Sequence, residues 1–386
     1  MGSLPQTAAG AERKRAQSQP SLRCPAAGKA PPSAAASRWR TASGRLSRRA
    51  TLLLGLMLVL AAVVLGSASG AYAIAPAQLL SVIANAVTGH SPAGPEQLVF
   101  FNIRLPRLLM GVAAGAGLGL AGALMQGLFR NPLADPGLIG VSSGSALAAA
   151  LTIVLGSMYL PWLPHTLGSW ALIAMAFGGG LLVTALIYAL GQSQGGTRMG
   201  LMLLAGVAVN ALAGAGLGFL SFISTDEQLR NLQMWLLGSL GAARWSAVAL
   251  VGAAVAASLA AGLALARPLN AIALGEAQAG LLGVAVERTK RRAVLVAALA
   301  VGAVTATTGV IGFIGLVAPH WVRLAAGPDH RIVLPGSALL GAALVVGADA
   351  VARTVVKPAE LPLGVLTAFI GVPLFLAMLR QFRSKV

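Results

Sequence analysis

Apolar residues run through this chain in long blocks that contain no Asp, Glu, Lys or Arg: 51–95, 108–129, 138–197, 199–225, 245–266, 293–322, 332–348 and 361–379. A helix needs about 20 apolar residues to cross hydrocarbon, and dividing the longest blocks at Pro and Gly clusters predicts about ten crossings. The pattern therefore specifies an all-α polytopic membrane protein over residues 51–386. Residues 1–50 are different. They are rich in Ala, Pro, Ser and Arg, carry no apolar periodicity, and are expected to form a disordered basic tail. Ser47, Arg48 and Arg49, followed by the apolar run from Thr51 to Gly66, also imitate a signal peptide with a twin-arginine start. The lengths of the tail and of the run favour a retained first helix.

One polar stretch, from Arg267 to Arg292, interrupts the apolar pattern. Leu274, Ala279, Leu282 and Val286 recur there at helical intervals, while Gly275, Gly280 and Gly283 divide it into pieces too short to span a bilayer. The expected structure is a short helix pair lying on the membrane surface. Such a loop is either a plain connector or a handle for a cytoplasmic protein, and its composition alone favours the connector.

Composition sharpens this picture. Only 10% of residues are charged and 57% are hydrophobic, against about 25% charged in an ordinary soluble domain. The mean hydropathy is +0.81. The net charge of +18 sits in the tail and in loops rather than on one basic face, so membrane orientation explains it better than nucleic acid does. With the tail inside, Arg130, Arg198, Arg267, the cluster at 288–292, Arg323, Arg331 and the C-terminal cations all fall on the cytoplasmic side. Ten crossings return both termini there. Arg104, Arg107, Arg230, Arg244, Arg353 and Lys357 fall on the opposite side and need a separate reason.

The chemistry open to the chain is narrow. A carrier driven by its own protons or sodium would need ionisable groups at membrane depth, and the blocks hold almost none. No His, Asp, Glu or Cys cluster has metal-ligand spacing, and no nucleophile, base and acid stand in a catalytic frame. The single cysteine, Cys24, lies in the tail. Lys29 is the only lysine that follows a glycine, and Ala30 comes next where a phosphate-cradling loop requires Ser or Thr. The expectation is a transporter that is no enzyme, binds no metal, and receives its energy by contact. Residues 125–147 and 311–339 share a Gly-aromatic turn, a Pro-containing polar connection and a closing GSAL. If they mark two five-helix repeats, the odd number per half makes the second inverted.

Four longer motifs carry a family resemblance: RLPRLLMGVAAGAGLGLAGALMQGLFRNPLADPGLIGVSSGSAL (104–147), LGEAQAGLLGV (274–284), GFIGLVAPHWVR (312–323) and ADAVARTVVKPAELPLGVLTAFIGVPLFLAML (348–379). The chain resembles the permease subunits of bacterial ABC importers for iron siderophores, haem and cobalamin, and the match covers nearly everything after residue 50. The resemblance implies the type II importer fold of the cobalamin permeases: ten helices per subunit in two inverted halves, and a homodimer with the path at its interface. It also implies two cytoplasmic ATPase subunits carrying ATP and Mg, a periplasmic binding protein, and residence in the bacterial inner membrane. Leu274, Gly275, Glu276, Ala279, Leu282 and Gly283 would then couple to the ATPase. Arg104, Arg107 and Arg353 would receive acidic residues of the binding protein, with snorkelling to lipid headgroups as the plainer alternative. Residues 224–240 resemble the haem-transporting members most, which makes haem the first choice of substrate, ahead of a ferric siderophore or cobalamin. His320 belongs to a general family pattern and is expected to be structural rather than a haem ligand. Met202, Asn210 and Ser221 are expected either to line the path or to pack between helices.

Overall fold

A computed structural model describes residue 2 and residues 44–70, 82, 94–159, 168–356 and 359–383. Most of the predicted tail, together with Cys24, Lys29, Lys357 and Lys385, lies outside these residues. Among the described residues, thirteen helices of six residues or more and one hairpin follow in chain order: α1 (Arg48–Ala68), α2 (Pro95–Leu128), α3 (Val141–Gly156), α4 (Ser169–Leu190), the hairpin strands β1 (Gln192–Ser193) and β2 (Gly196–Thr197), α5 (Met199–Ile223), α6 (Asp226–Leu236), α7 (Trp245–Ala264), α8 (Ala266–Ala273), α9 (Glu276–Leu281), α10 (Val286–Thr308), α11 (Ile314–Ala326), α12 (His330–Val355) and α13 (Leu363–Arg383). By length and composition, α1, α2, α4, α5, α7, α10 and α12 can each cross a bilayer. Two shorter apolar helices accompany them, α3 and the first part of α13. The chain is thus an all-α polytopic membrane protein, as its hydropathy pattern predicts.

Helices α2 and α12 form the centre of the bundle, and small residues set how closely they pack. Along one face of α2, a Cβ on Gly115 would collide with the Gly341 carbonyl, and one on Gly119 with the Ser337 carbonyl. Gly122 meets the backbone of α11 at Gly315 in the same way. Hydrocarbon solvates leucine as well as protein does, so helices in a membrane gain by close backbone approach rather than by burying apolar surface. Almost every residue of α2 from Gly117 to Leu128 is buried, and α10 from Ala293 to Thr308 is nearly as enclosed. By contrast α5 is largely exposed, with Leu204, Val207, Leu212, Phe219 and Phe222 all facing outwards.

Segments that echo one another in sequence meet in space. The Gln126 amide of α2 donates to the Gly315 and Leu316 carbonyls of α11. Pro136 packs against Gly315. Charge separates along the bundle axis. The start of α1, the hairpin, α8, α9 and the start of α12 gather at one end, joined by Leu46 N–H donating to the Ala325 carbonyl and Asn270 to Asp329. This is the basic end. Arg104, Arg107, Asp349, Arg353 and Glu360 gather at the other.

Candidate functional site

The loop from Arg267 to Arg292 folds as the sequence pattern predicts, into a helix, a sharp turn and a second short helix. Helix α8 buries Leu269 and Ile272 against the bundle. Gly275 then turns the chain with φ of 122°, a conformation that side-chain-bearing residues resist. Glu276 opens α9, where a carboxylate complements the positive helix start. Ala279 is completely buried and seats α9 on the bundle, whereas Leu274, Leu281 and Leu282 stand 67%, 90% and 65% exposed. Three leucines therefore stand bare on a braced support. Gly283, with φ of 78°, leads into α10.

The brace is Lys290, a residue sequence reasoning counted only as one cation of a cluster. It is buried, and its Nζ donates to Glu276 Oε2 at 2.7 Å, to Glu287 Oε1 at 2.9 Å and to the Thr197 carbonyl at 2.7 Å. Glu287 in turn accepts from the Thr197 backbone N–H and hydroxyl, at 2.9 and 2.6 Å. One ammonium therefore ties α9, α10 and the hairpin together. The signal was present in the sequence: Lys290 precedes Ala293, Val294 and Ala297 at helical spacing, so it lies on the stripe that α10 buries.

At the opposite end the structure brings Arg104, Arg107 and Arg353 together and turns them inwards. They are 4%, 8% and 6% exposed. Arg107 forks onto Asp349, with Nε at 3.0 Å from Oδ1 and Nη2 at 2.9 Å, and its Nη1 donates to Glu360 at 3.0 Å. Arg353 meets Asp349 at 3.0 Å and donates to the Ser69 and Gly66 carbonyls. Arg104 donates to the Ser67 carbonyl. The last carbonyls of a helix lack partners within it and carry partial negative charge, so guanidinium groups suit the end of α1. Receiving an acidic side chain from another protein would require these guanidinium groups to leave their internal acceptors. Arg230 and Arg244 are exposed.

Of the three residues considered for the path, Met202 is buried against Gly191. Asn210 is half-buried; its Nδ2 donates to the Gly137 carbonyl and its Oδ1 accepts from Ser143. Ser221 is half-buried, and its carbonyl accepts from Ser224. Met202 and Asn210 pack between elements rather than facing outwards from α5. Among the described residues, no group of three or more His, Cys, Asp or Glu could hold a metal ion.

Comparison with known proteins is decisive at this point, because the match extends from the first helix to the last. The FecCD transport family model matches residues 57–381. The chain belongs to the FecCD transport family. The hemin transport system permease protein HmuU of Yersinia pestis is 43% identical over 345 residues, covering 89% of this chain and 99% of that protein. A cobalamin import system permease protein, BtuC of Halobacterium salinarum, is 42% identical over 285 residues, covering 74% of each. A solved metal-chelate type ABC transporter in an inward-facing conformation superposes with a TM-score of 0.74 at 30% identity, covering 86% of this chain and 98% of its own. The family resemblance read from the four motifs is therefore correct, and the chain is an importer permease of the FecCD type.

Proposed function

We propose that this permease imports haem across the bacterial inner membrane as a homodimer, driven by two ATPase subunits that grip α8 and α9 and supplied by a periplasmic binding protein. The observation that carries the coupling part is the trio of exposed leucines on a support locked by Lys290. The near-complete match to a hemin permease favours haem over the siderophore and cobalamin alternatives. On this reading the basic end and both termini are cytoplasmic. Closure of the ATPases on ATP moves α9, the Lys290 clasp passes the motion to α10, and α10 turns against the tightly packed α2. Two subunits rocking about their interface then open the path to one side at a time.

The inward-turned arginines fit a supporting role at the periplasmic mouth. They pin the end of α1 to α2 and α12, and so shape the face on which a binding protein would land. Glu360, 46% exposed at its side chain, is the outer member of that cluster. Uptake by the reconstituted dimer, with its ATPases and cognate binding protein, tests the whole assignment. Haem should accumulate only with ATP, and a ferric siderophore or cobalamin supplied in the same way should not. Accumulation of cobalamin without haem would move the substrate assignment, and accumulation without any ATPase would end the coupling assignment.

A further inference from the structure

A second polar site lies at the basic end, at the base of α8, and nothing above employs it. A cavity of about 220 Å³ is lined by Gln126, Gly127, Arg130, Pro132, Ala273, Arg323 and His330. Water takes about 30 Å³ per molecule in the liquid, so the space holds several waters or one small headgroup. Its polar atoms are unusual in having no protein partner. Arg323 leaves Nε and Nη2 buried without an acceptor, Gln126 leaves Oε1 without a donor, and His330 leaves Nε2 unpaired. Gln126 and His330 are each 3% exposed. Buried polar groups of a folded protein are almost always satisfied, so four such atoms on three residues that line one cavity point to an occupant.

The orientation of each group is fixed from behind. Gln126 Nε2 donates to the Gly315 and Leu316 carbonyls, and its Oε1 is left without a protein donor. Burial alone would raise the Asp329 carboxyl, but the Arg331 N–H, the Asn270 amide and the charges of Arg331 and His330 hold it below the usual carboxylate range. The ionised Asp329 takes a hydrogen from Asn270 Nδ2 at 2.6 Å, so Asn270 Oδ1 is the acceptor for His330 Nδ1 at 2.8 Å. His330 Nε2, packed beside Gly127, is left without a protein partner. At the mouth stands Arg130, exposed and in the left-handed region at φ 50°, where a helix normally ends on glycine. Keeping a side chain there is costly, and the residue kept is a cation.

We propose that this cavity binds a phosphate group that has hydroxyl donors beside it. The charged Arg323 fork and Arg130 would hold the phosphate oxygens, and hydroxyls would donate to Gln126 Oε1 and His330 Nε2. The headgroup of phosphatidylglycerol and free hydrogen phosphate share this chemistry. The surroundings favour the lipid: Trp321 and Leu324, on the same helix as Arg323, are 52% and 58% exposed. Exposed tryptophans of membrane proteins are enriched at the headgroup level. Basic pockets between helices on the basic side of a membrane protein are where anionic headgroups settle. Ala273 also lines the cavity and immediately precedes the coupling turn, so an occupant would touch the base of the coupling helices. The proposal does not depend on which substrate is carried.

The test uses the purified full-length chain in nanodiscs of phosphatidylcholine, with or without phosphatidylglycerol, and counts retained lipid by native mass spectrometry after extraction. One phosphatidylglycerol per chain should be kept in preference to phosphatidylcholine. Arg130→Gln should lower that retention about tenfold, the loss expected for one charge-assisted contact, with the yield of folded protein unchanged because Arg130 is exposed. Arg323→Lys keeps the charge and removes the fork, and should lower retention as well. If millimolar inorganic phosphate displaces the lipid and protects the wild type, but not Arg130→Gln, against heat, the site is confirmed with soluble phosphate as its source. Equal retention of both lipids, or unchanged retention in both variants, would overturn the proposal. So would release of the lipid on adding the ATPase subunits, which would assign the arginines to a protein carboxylate.

Discussion

Asp349 shows how much one side chain can hold. It lies 3% exposed in the apolar length of α12 and accepts from both Arg107 and Arg353, whose remaining donors reach Glu360 and the end of α1. Removing one member of a buried ionic cluster leaves uncompensated charge and costs about 3–5 kcal/mol. Asp349→Asn should therefore lower the thermal unfolding midpoint of the detergent-solubilised permease by many degrees. Glu360→Gln, removing the half-exposed partner, should change stability by no more than about 1 kcal/mol. Equal effects of the two variants would show that Asp349 is not the hub. The sequence made the arginines conspicuous because they defy the positive-inside trend, and so their place at one end was legible. Their direction was not. It depends on a carboxylate 242 residues away and on the carbonyls of a separate helix, neither of which leaves a local pattern.

At the scale of the element, the short helices α8 and α9 were the most legible part of the molecule, because glycine spacing and helical period both survive in a stretch of only about two dozen residues. What the pattern did not give is how the pair is fastened. The hairpin at Gln192–Thr197 falls at the end of a long apolar block and looks like mere connection, yet its Thr197 carbonyl and hydroxyl complete the Lys290 clasp. If that clasp transmits the stroke, Lys290→Met should leave the dimer assembled and ATP hydrolysis running while ATP-dependent uptake falls about tenfold. Lys290→Arg, which can still reach two carboxylates, should recover part of the uptake. The measurement is the ratio of substrate moved to ATP consumed in proteoliposomes. Hydrolysis and uptake falling in step would point instead to lost docking at Leu281 and Leu282.

Across the whole molecule, two kinds of small residue look alike in sequence and do opposite things. Gly115, Gly119 and Gly122 on α2 have backbone where a side chain would go, and they fuse α2, α11 and α12 into one block. On α5, Gly214 and Gly218 have nothing within 4 Å of that position, and they share an exposed face with Ala208, Ala211 and Ala215. A face of small residues left bare in one subunit is suited to close approach by a second helix. The two sets should therefore fail differently. Gly122→Leu overpacks the fused block, costs more than the 1–3 kcal/mol typical of an added core group, and should abolish folded protein in the membrane. Gly218→Leu should leave the thermal midpoint of the single chain within about 0.5 kcal/mol of wild type, as substitutions at open positions do. If α5 meets its counterpart across the dimer, the same substitution should shift the detergent-solubilised protein from dimer to monomer in light scattering. A Gly218→Leu permease that stays dimeric and transports normally would remove α5 from the subunit interface, and with it the idea that rocking occurs along this helix. The block of α2, α11 and α12 is locked by backbone contacts, whereas α5 keeps an exposed face of small residues.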